Sequence, residues 1–343
     1  MWDNLAKICD IAAPSGYETA VSSVAADLMK PLVNEIKTDA LGNIFGYLPS
    51  ADTNAPTIVL DAHLDEVGVM IAGYREGFAV LQNIGGLDPR ILPAHGIRLL
   101  NGLRGVVAAM PPHVVSAAEA DKAAPLADLL LDLGLGKADA ERLAPVGTMG
   151  VFDSALVYRG ESAMGKTLDD RAGFLVILRA LELLRDKPLP LNVIVCGAVM
   201  EEVGGDGATV AAYGLAPDFA IAVDVTHAAT PDSASHNTVK AGKGPSVIVG
   251  PICDTFMSKT LIKLAKERKI PYQIEVEGRL TSTDADDYQK SRCGVPTASI
   301  GVPLKYMHSP NEVLRRDDFE NSARLLAAFL ENFKPDCKGG DLA

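Results

Sequence analysis

Aromatic residues, paired cysteines and long apolar segments are all scarce in this sequence of 343 residues. Aromatics make up 5% of the chain and tryptophan occurs once, at Trp2, which disfavours a long sugar-stacking cleft. No uncharged apolar run approaches the roughly 18 residues of a membrane span. The N-terminus lacks a basic segment followed by an apolar one, the pattern of a signal peptide. We therefore expect a cytoplasmic protein that does not bind membranes.

The cysteines are odd in number, widely spaced and without a C-x-x-C pair. A disulfide framework or a thiolate zinc site is therefore not predicted, and we expect reduced thiols. Most of them are expected to be small core residues. They are Cys9, Cys196, Cys253, Cys293 and Cys337.

The charge balance is acidic, with 32 basic and 44 acidic residues and a net charge of −12. Such a surface repels phosphate on average, so nucleic acid is not an expected partner. Hydrophobic residues make up 48% of the chain and charged residues 22%, which predicts a sizeable core and argues against disorder. The length suits two domains, or one large α/β domain with an insertion.

Two different patterns of hydrophobic residues divide the chain. Residues 1–72 and 164–343 alternate buried apolar strands with helical periodicity, which predicts a three-layer α/β/α domain on a mainly parallel mixed sheet. Between them, residues 73–163 alternate short Val/Ile/Leu runs with Gly and Pro, which predicts an inserted, β-barrel-like domain. One helix is expected inside the insertion, around residues 124–133.

Two local signals lie near the N-terminus. Ser15 is followed three residues later by Glu18, a capping-box pattern that predicts the start of a helix. Leu41-Gly42-Asn43 predicts a hairpin turn between two short strands.

Acids or a histidine follow directly after several predicted strands. Open α/β sheets place their sites at the carboxyl ends of strands, so these groups can converge although they are far apart in sequence. The residues at these positions are Asp61, His63, Asp65, Glu201, Glu202, Asp224 and His308.

Convergence would bring five carboxylates into one crevice, those of Asp65, Asp169, Glu201, Glu202 and Asp224. Their charges would repel, and several would take up protons unless cations balanced them. Two divalent cations supply four positive charges, and oxygen and imidazole ligands suit Zn²⁺, Co²⁺ or Mn²⁺. The pattern therefore predicts a two-metal hydrolytic centre.

Five segments carry a family resemblance. In chain order they read DAHLDEVG (61–68), KTLDDRAG (166–173), EEVG (201–204), VDVTHA (223–228) and YMHSPNE (306–312). In this order, and over nearly the whole chain, they resemble the tetrahedral (TET) deblocking and glutamyl aminopeptidases, a family of cocatalytic dinuclear metallopeptidases. The inserted domain resembles the dimerisation domain of that family.

The resemblance implies a role for each predicted site residue. The implied metal ligands are His63 and Asp224 for one ion, Glu202 and His308 for the other, and Asp169 as the bridge between them. Glu201 would be the general base, and Asp65 would orient His63. The peptide between Asp169 and Asp170 is expected to be cis.

The implied activity is metal-dependent release of N-terminal residues from short peptides. It would use two divalent ions per subunit (zinc, cobalt or manganese), a hydroxide that bridges them and a glutamate base. The resemblance also implies a homo-oligomer in which dimers build a tetrahedral shell of twelve subunits.

Four alternatives are open. The segment from Gly160 to Thr167 fits the phosphate-binding pattern G-x-x-x-x-G-K-T, although Asp169 and Asp170 at the following helix start oppose an anion. A cellulase-like glycosidase needs only a carboxylate pair, but the aromatics are few. A non-catalytic assembly protein would need only the inserted domain. Metallo-carboxypeptidases and deacylases of the same wider group are the nearest alternatives.

Overall fold

The computed structural model describes residues 1–110, 124–231, 233 and 239–334. The helices are α1 (Leu5–Cys9), α2 (Thr19–Met29), α3 (Lys137–Leu143), α4 (Leu168–Leu183), α5 (Asp206–Leu215), α6 (Thr255–Glu267), α7 (Ala285–Lys290) and α8 (Arg316–Asn332). The strands are β1 (Glu35–Thr38), β2 (Ile44–Leu48), β3 (Thr57–His63), β4 (Gly68–Arg75), β5 (Phe78–Ile84), β6 (Gly96–Leu99), β7 (Arg104–Val107), β8 (Leu130–Asp132), β9 (Met149–Phe152), β10 (Val157–Arg159), β11 (Ser162–Gly165), β12 (Asn192–Ala198), β13 (Phe219–His227), β14 (Ser246–Val249), β15 (Gln273–Val276), β16 (Thr297–Lys305) and β17 (Glu312–Arg315).

A large mixed sheet forms the centre of the α/β part, in the order β1-β2-β12-β3-β13-β16-β17-β11-β10, with β14 and β15 branching from β16. Its middle strands β12, β3, β13 and β16 are parallel, and the strands that flank them are antiparallel. The predicted mixed sheet is confirmed, with its parallel strands at the centre. The predicted turn at Leu41-Gly42-Asn43 is also present, since β1 and β2 pair as antiparallel neighbours.

Each face of this sheet is covered by helices. Alternate residues of a strand point to opposite faces, so Ile58 and Leu60 of β3 join the core under α4 and α8. Val59, between them, joins a smaller core with residues of α5 and α7. The three-layer α/β/α architecture predicted from the strand and helix alternation is therefore confirmed.

The inserted module is a closed barrel with its own apolar core. Its strands follow each other in the order β4-β5-β8-β7-β6-β9. The helix predicted around residues 124–133 is wrong, because a 3-10 turn (Leu126–Asp128) and β8 occupy that segment. Leu126, Leu129, Leu130 and Leu133 have helical spacing. In the structure, however, Leu129 and Leu131 lie in the barrel core and Leu130 between them is less buried, which is the alternation of a strand. Among the described residues of this module, the α-helix is α3.

The barrel strands run from Gly68 to Phe152. β10 and β11, which lie inside the predicted insertion limits or at their edge, pair instead with the large sheet. The change of sheet therefore falls between β9 and β10. The division into a domain of residues 1–72 and 164–343 and an inserted domain of 73–163 stays a prediction.

The capping box predicted at Ser15 and Glu18 is wrong, although α2 does begin directly after it. The Ser15 hydroxyl donates to Asp65 Oδ2 at 2.6 Å instead of serving the helix. Glu18 Oε1 accepts the backbone N–H groups of Gly16 and Met200, at 2.6 and 3.2 Å. Ser15 thus bonds to a distant part of the fold, and Glu18 joins its neighbour Gly16 to the distant Met200.

Three of the five cysteines, Cys9, Cys196 and Cys253, are buried and free, as expected for core thiols. Cys293 is exposed and free, and Cys337 lies outside the described residues. Within the described ranges, none of the helices has the length and apolar character that a bilayer crossing requires.

Candidate active site

The parallel strands bring the predicted site residues to one edge of the sheet. His63 is the last residue of β3, and Glu201 and Glu202 follow β12. His308 follows β16, and Asp169 lies at the start of α4. Because parallel strands end on the same side, groups separated by more than 200 residues become neighbours.

Asp224 reaches the same place from within a strand. The prediction that the strand ends at Asp224 is wrong, since β13 continues to His227. The reason is its partner β16, which pairs residue by residue with 224–227. The Asp224 side chain is buried, and its Oδ1 accepts the N–H of Val225 at 2.7 Å.

Asp169 lies between two imidazoles. Its Oδ1 is 3.1 Å from Nε2 of His63, and its Oδ2 is 3.2 Å from Nε2 of His308. The same nitrogen of His308 is 3.2 Å from Oε1 of Glu202. One carboxylate therefore contacts both halves of the cluster. The peptide between Asp169 and Asp170 is cis, as the resemblance implies.

The donor atoms fit divalent cations. In each of three groups, one ligand atom per residue lies within 4.8 Å of the others; the groups are His63 with Asp169 and Asp224, Asp169 with Glu202 and His308, and His63 with Glu201 and Glu202. All the donors are carboxylate oxygens or imidazole nitrogens, the set that zinc, cobalt and manganese accept.

Burial raises the proton affinity of the site carboxylates. It raises the pKa of Glu201 to about 7, against the opposing effect of the His63 charge. The pKa of Asp224 is raised well above its ordinary value by burial, and Asp169 and Glu201 add to this effect. Burial and the Asp224 charge likewise raise the pKa of Asp170. So many carboxyl groups stay ionised together only if cations join them.

The two histidines show the opposite balance. Burial alone would lower the pKa of His308, but its contacts with Asp169 and Glu202 outweigh burial and raise it to about 11. His63 follows the same pattern, with Asp169 and Asp65 as the partners that raise its pKa. Protons on these imidazoles therefore supply positive charge that divalent ions can replace, since metal ligation requires the neutral ring.

Asp65 organises one side of the cluster. Its Oδ1 is 3.4 Å from Nδ1 of His63, an ion-pair distance longer than an ideal hydrogen bond. Its two oxygens also accept the backbone N–H groups of Glu201 and Glu202, at 3.1 and 3.2 Å, besides the hydroxyl of Ser15. Burial would raise its pKa, but the contact with His63 lowers it. Sequence reasoning found Asp65 but missed Ser15.

Glu312 organises the other side. Its Oε1 accepts the N–H of His308 at 3.0 Å, and its Oε2 accepts those of Leu168 and Asp169 at 2.7 and 3.2 Å. One buried carboxylate thus joins the backbones of two predicted ligands. Glu312 lay in the YMHSPNE segment, yet sequence reasoning assigned it no role.

A buried ion cluster joins Glu66 to Lys166 and Arg171. Lys166 Nζ lies 2.8 Å from each oxygen of Glu66 and also donates to the carbonyl of Cys9 and the hydroxyl of Thr167. A phosphate-binding loop needs this lysine free, so the arrangement argues against the nucleotide alternative. The preceding glycine segment instead forms the β10–β11 hairpin.

We expect Lys166→Met to lower the melting temperature markedly, because it leaves the Glu66 carboxylate buried with a weaker partner. Removing one member of a buried ion pair costs roughly 3–5 kcal/mol. Lys187→Met is the matched control, since Lys187 pairs with Glu331 at 2.8 Å on the surface, where such pairs contribute little. Thermal unfolding of both variants checks this, and equal melting temperatures would contradict it.

A groove of about 520 Å³ adjoins His308. It lies between the barrel segment 86–95 and the segment 306–313 of the α/β part. Ile91, Met164, Met307 and Val313 give it a largely apolar lining beside the polar cluster. An extended ligand with one end at the cluster could lie along this groove.

Known proteins resemble this chain over almost its full length. A sequence profile of the M42 glutamyl aminopeptidases matches residues 42–325. The lysyl aminopeptidase of Pyrococcus furiosus is 32% identical over 97% of this chain and 98% of its own. Aminopeptidase APDkam598 from the archaeon Desulfurococcus kamchatkensis superposes with a TM-score of 0.91 at 32% identity, over 99% and 98% of the two chains. The Pyrococcus horikoshii TET1 peptidase, described as assembling into a tetrahedron or a large octahedral shell, superposes with a TM-score of 0.83 at 30% identity, over 97% and 99%.

Proposed function

This chain belongs to the M42 glutamyl aminopeptidase family, and from that premise we propose that it releases N-terminal residues from short peptides with the help of two divalent ions. The observation that carries the proposal is the position of Asp169, whose two oxygens contact the imidazoles of His63 and His308. A carboxylate shared between two ligand groups is what a two-metal hydrolase requires.

Six residues would hold the two ions or position their ligands. His63 and Asp224 would hold one ion, Glu202 and His308 the other, and Asp169 both. When bound, zinc, cobalt or manganese ions would lower the pKa of a water molecule and polarise the scissile carbonyl. Asp65, which lies 3.4 Å from Nδ1 of His63, would keep that ring in position.

Glu201 is the proposed general base. Its side chain is more exposed than that of Glu202, and its Oε2 lies 3.9 Å from Nε2 of His63. Burial raises its pKa above the ordinary value for a glutamate, which favours proton uptake. It would take a proton from water and pass it to the leaving amine.

We propose that the substrate is a peptide with a free α-amino group. The positive charge of that group suits a cluster with an excess of carboxylates. The groove beside His308 would receive the rest of the peptide, and its lining favours apolar side chains.

The oligomeric state is proposed from the relatives, and the cellular compartment from the free cysteines. We propose that the chain forms dimers that build a tetrahedral dodecamer, in keeping with the tetrahedron described for the Pyrococcus horikoshii TET1 peptidase and the dodecamer described for PhTET1-12s. Free cysteines at positions 9, 196, 253 and 293 suit the reducing cytoplasm.

One experiment tests the function. We expect leucyl dipeptides and aminoacyl-nitroanilides to be hydrolysed by protein loaded with Zn²⁺, Co²⁺ or Mn²⁺. A chelator should abolish hydrolysis, and added metal should restore it, because the water is activated only by bound ions. N-acetylated versions of the same peptides are the matched control and should be cleaved poorly.

Other outcomes would favour the alternatives. Equal cleavage of free and acetylated peptides would point to a deacylase or carboxypeptidase. Reducing ends released from carboxymethylcellulose would point to a glycosidase. Absence of hydrolysis with every metal would contradict the proposal.

A further inference from the structure

We infer that the Gly85–Gly86 turn, which the barrel contributes after β5, positions the metal ion proposed to lie between Glu202 and His308. The inference rests on the proposed two-metal centre and assigns the barrel a part in it. The contacts of this turn with the α/β part carry the argument.

The first contact sets which ring nitrogen of His308 faces the cluster. The carbonyl oxygen of Gly86 lies 2.9 Å from His308 Nδ1. A carbonyl can only accept, so Nδ1 carries the proton and donates it. In the neutral ring, Nε2 then keeps its lone pair, and Nε2 is the atom that faces Asp169 and Glu202. A histidine ligand is commonly oriented by such a bond from its other nitrogen.

The second contact is steric, since the two glycines leave little room for a side chain beside the proposed ligands. A Cβ atom on Gly86 would lie 3.2 Å from both Cε1 and Nδ1 of His308. A Cβ atom on Gly85 would lie 3.1 Å from Cβ of Glu202, and Gly85 has a φ of +74°, which favours glycine. The turn therefore packs backbone directly against two proposed ligands of the same ion.

The two halves of the centre are consequently built in different ways. The ring of His63 is oriented by Asp65, a residue of the α/β part. The ring of His308 is oriented by a loop of the barrel. A change in this loop should weaken one ion and spare the other, whereas general damage to the fold should weaken both.

Gly86→Ala tests the inference, with Gly136→Ala as its matched control. Neither glycine has a positive φ, so alanine suits both backbones. Gly136 also belongs to the inserted module, but a Cβ atom there would meet open space. We call the ion held by Glu202 and His308 the second ion, and the one held by His63 and Asp224 the first. In Gly86→Ala we expect the affinity for the second Co²⁺ or Zn²⁺ ion to fall about 10–100-fold, the usual effect of disturbing a residue that orients a metal ligand. The first ion, and both ions in Gly136→Ala, should bind as in the unchanged protein.

Metal content after dialysis and the visible spectrum of the Co²⁺ protein measure this directly. Two ions of unchanged affinity in Gly86→Ala would overturn the inference, and so would an equal loss of both. If the unchanged protein itself fails to bind two ions, the proposed function fails instead.

A measurement on the unchanged protein guards against a variant that does not fold. Hydrogen exchange of a peptide covering the Gly85–Gly86 turn should slow when the second ion binds. A His308 ring fixed by the ion holds the Gly86 carbonyl, and this restricts the opening that exposes the N–H groups of the turn to exchange. A peptide from α3 is the internal control. Exchange in the turn that is insensitive to metal would overturn the inference.

Discussion

Glu201→Gln should lower kcat by roughly 10²–10⁴-fold while both metal ions stay bound, the range expected for loss of a general base. The amide has the same shape as the carboxyl group but cannot accept a proton. Glu201 is 3.9 Å from His63, whereas Glu202 lies 3.2 Å from His308. The change should therefore leave the ligands nearly undisturbed.

Steady-state hydrolysis of leucyl-nitroanilide, with metal content measured on the same samples, checks this expectation. Glu141→Gln is the control, because Glu141 is exposed on α3, in the inserted module. Full activity in a metal-replete Glu201→Gln protein would refute the role of Glu201 as base. Loss of metal from that variant would show that it is a ligand instead.

Asp169→Asn should lower catalytic activity further than Glu201→Gln, because Asp169 is the residue common to both proposed ion sites. An amide offers one oxygen where the carboxylate offers two, and it removes a negative charge between two cations. We expect metal content to fall below two ions per subunit. Several kcal/mol of transition-state stabilisation should be lost with the ions, so kcat/KM should fall on the order of 10³–10⁵-fold.

Calorimetric titration with Zn²⁺ and peptide assays at saturating metal separate the two effects. Asp139→Asn serves as control, since Asp139 is exposed and pairs with Arg142 at 2.8 Å. Two ions bound to Asp169→Asn with unchanged affinity would contradict the bridging role.

The convergence of the site could be predicted because strand ends carry a clear signal. Apolar runs such as Thr57–Leu60 predict buried strands, and parallel strands in an open sheet end on the same side. The residue types after them, including His63 and Glu202, then point to metal chemistry. The roles came from the resemblance, which supplied the distinction between Glu201 and Glu202.

The supporting contacts could not be predicted, because their partners are distant and often backbone. Glu312 accepts three backbone N–H groups, two of them more than 140 residues away in the chain. Ser15 matched a local capping pattern, but a buried acid 50 residues later offers its hydroxyl a stronger partner. Neither arrangement produces a periodic signal.

The errors in the fold have similar causes. The leucines near residue 130 have the spacing of a helix, yet in the closed barrel they show the alternation of a strand, in which Leu129 and Leu131 are buried and Leu130 is less so. The charged residue after the apolar run Ala220–Val223 predicts a strand end at Asp224. Pairing with β16 extends that strand. The carboxylate is tolerated inside because the His63 imidazole lies beside it and its Oδ1 accepts the N–H of Val225.

The barrel begins and ends on neighbouring strands, since β4 pairs with β9 at Val69 with Gly150 and at Met70 with Met149. In protein engineering this makes the module simple to excise or exchange, because a short linker can rejoin the two ends. By the inference drawn above, any replacement module must nevertheless retain the Gly85–Gly86 turn, because the Gly86 carbonyl contacts Nδ1 of His308 at 2.9 Å.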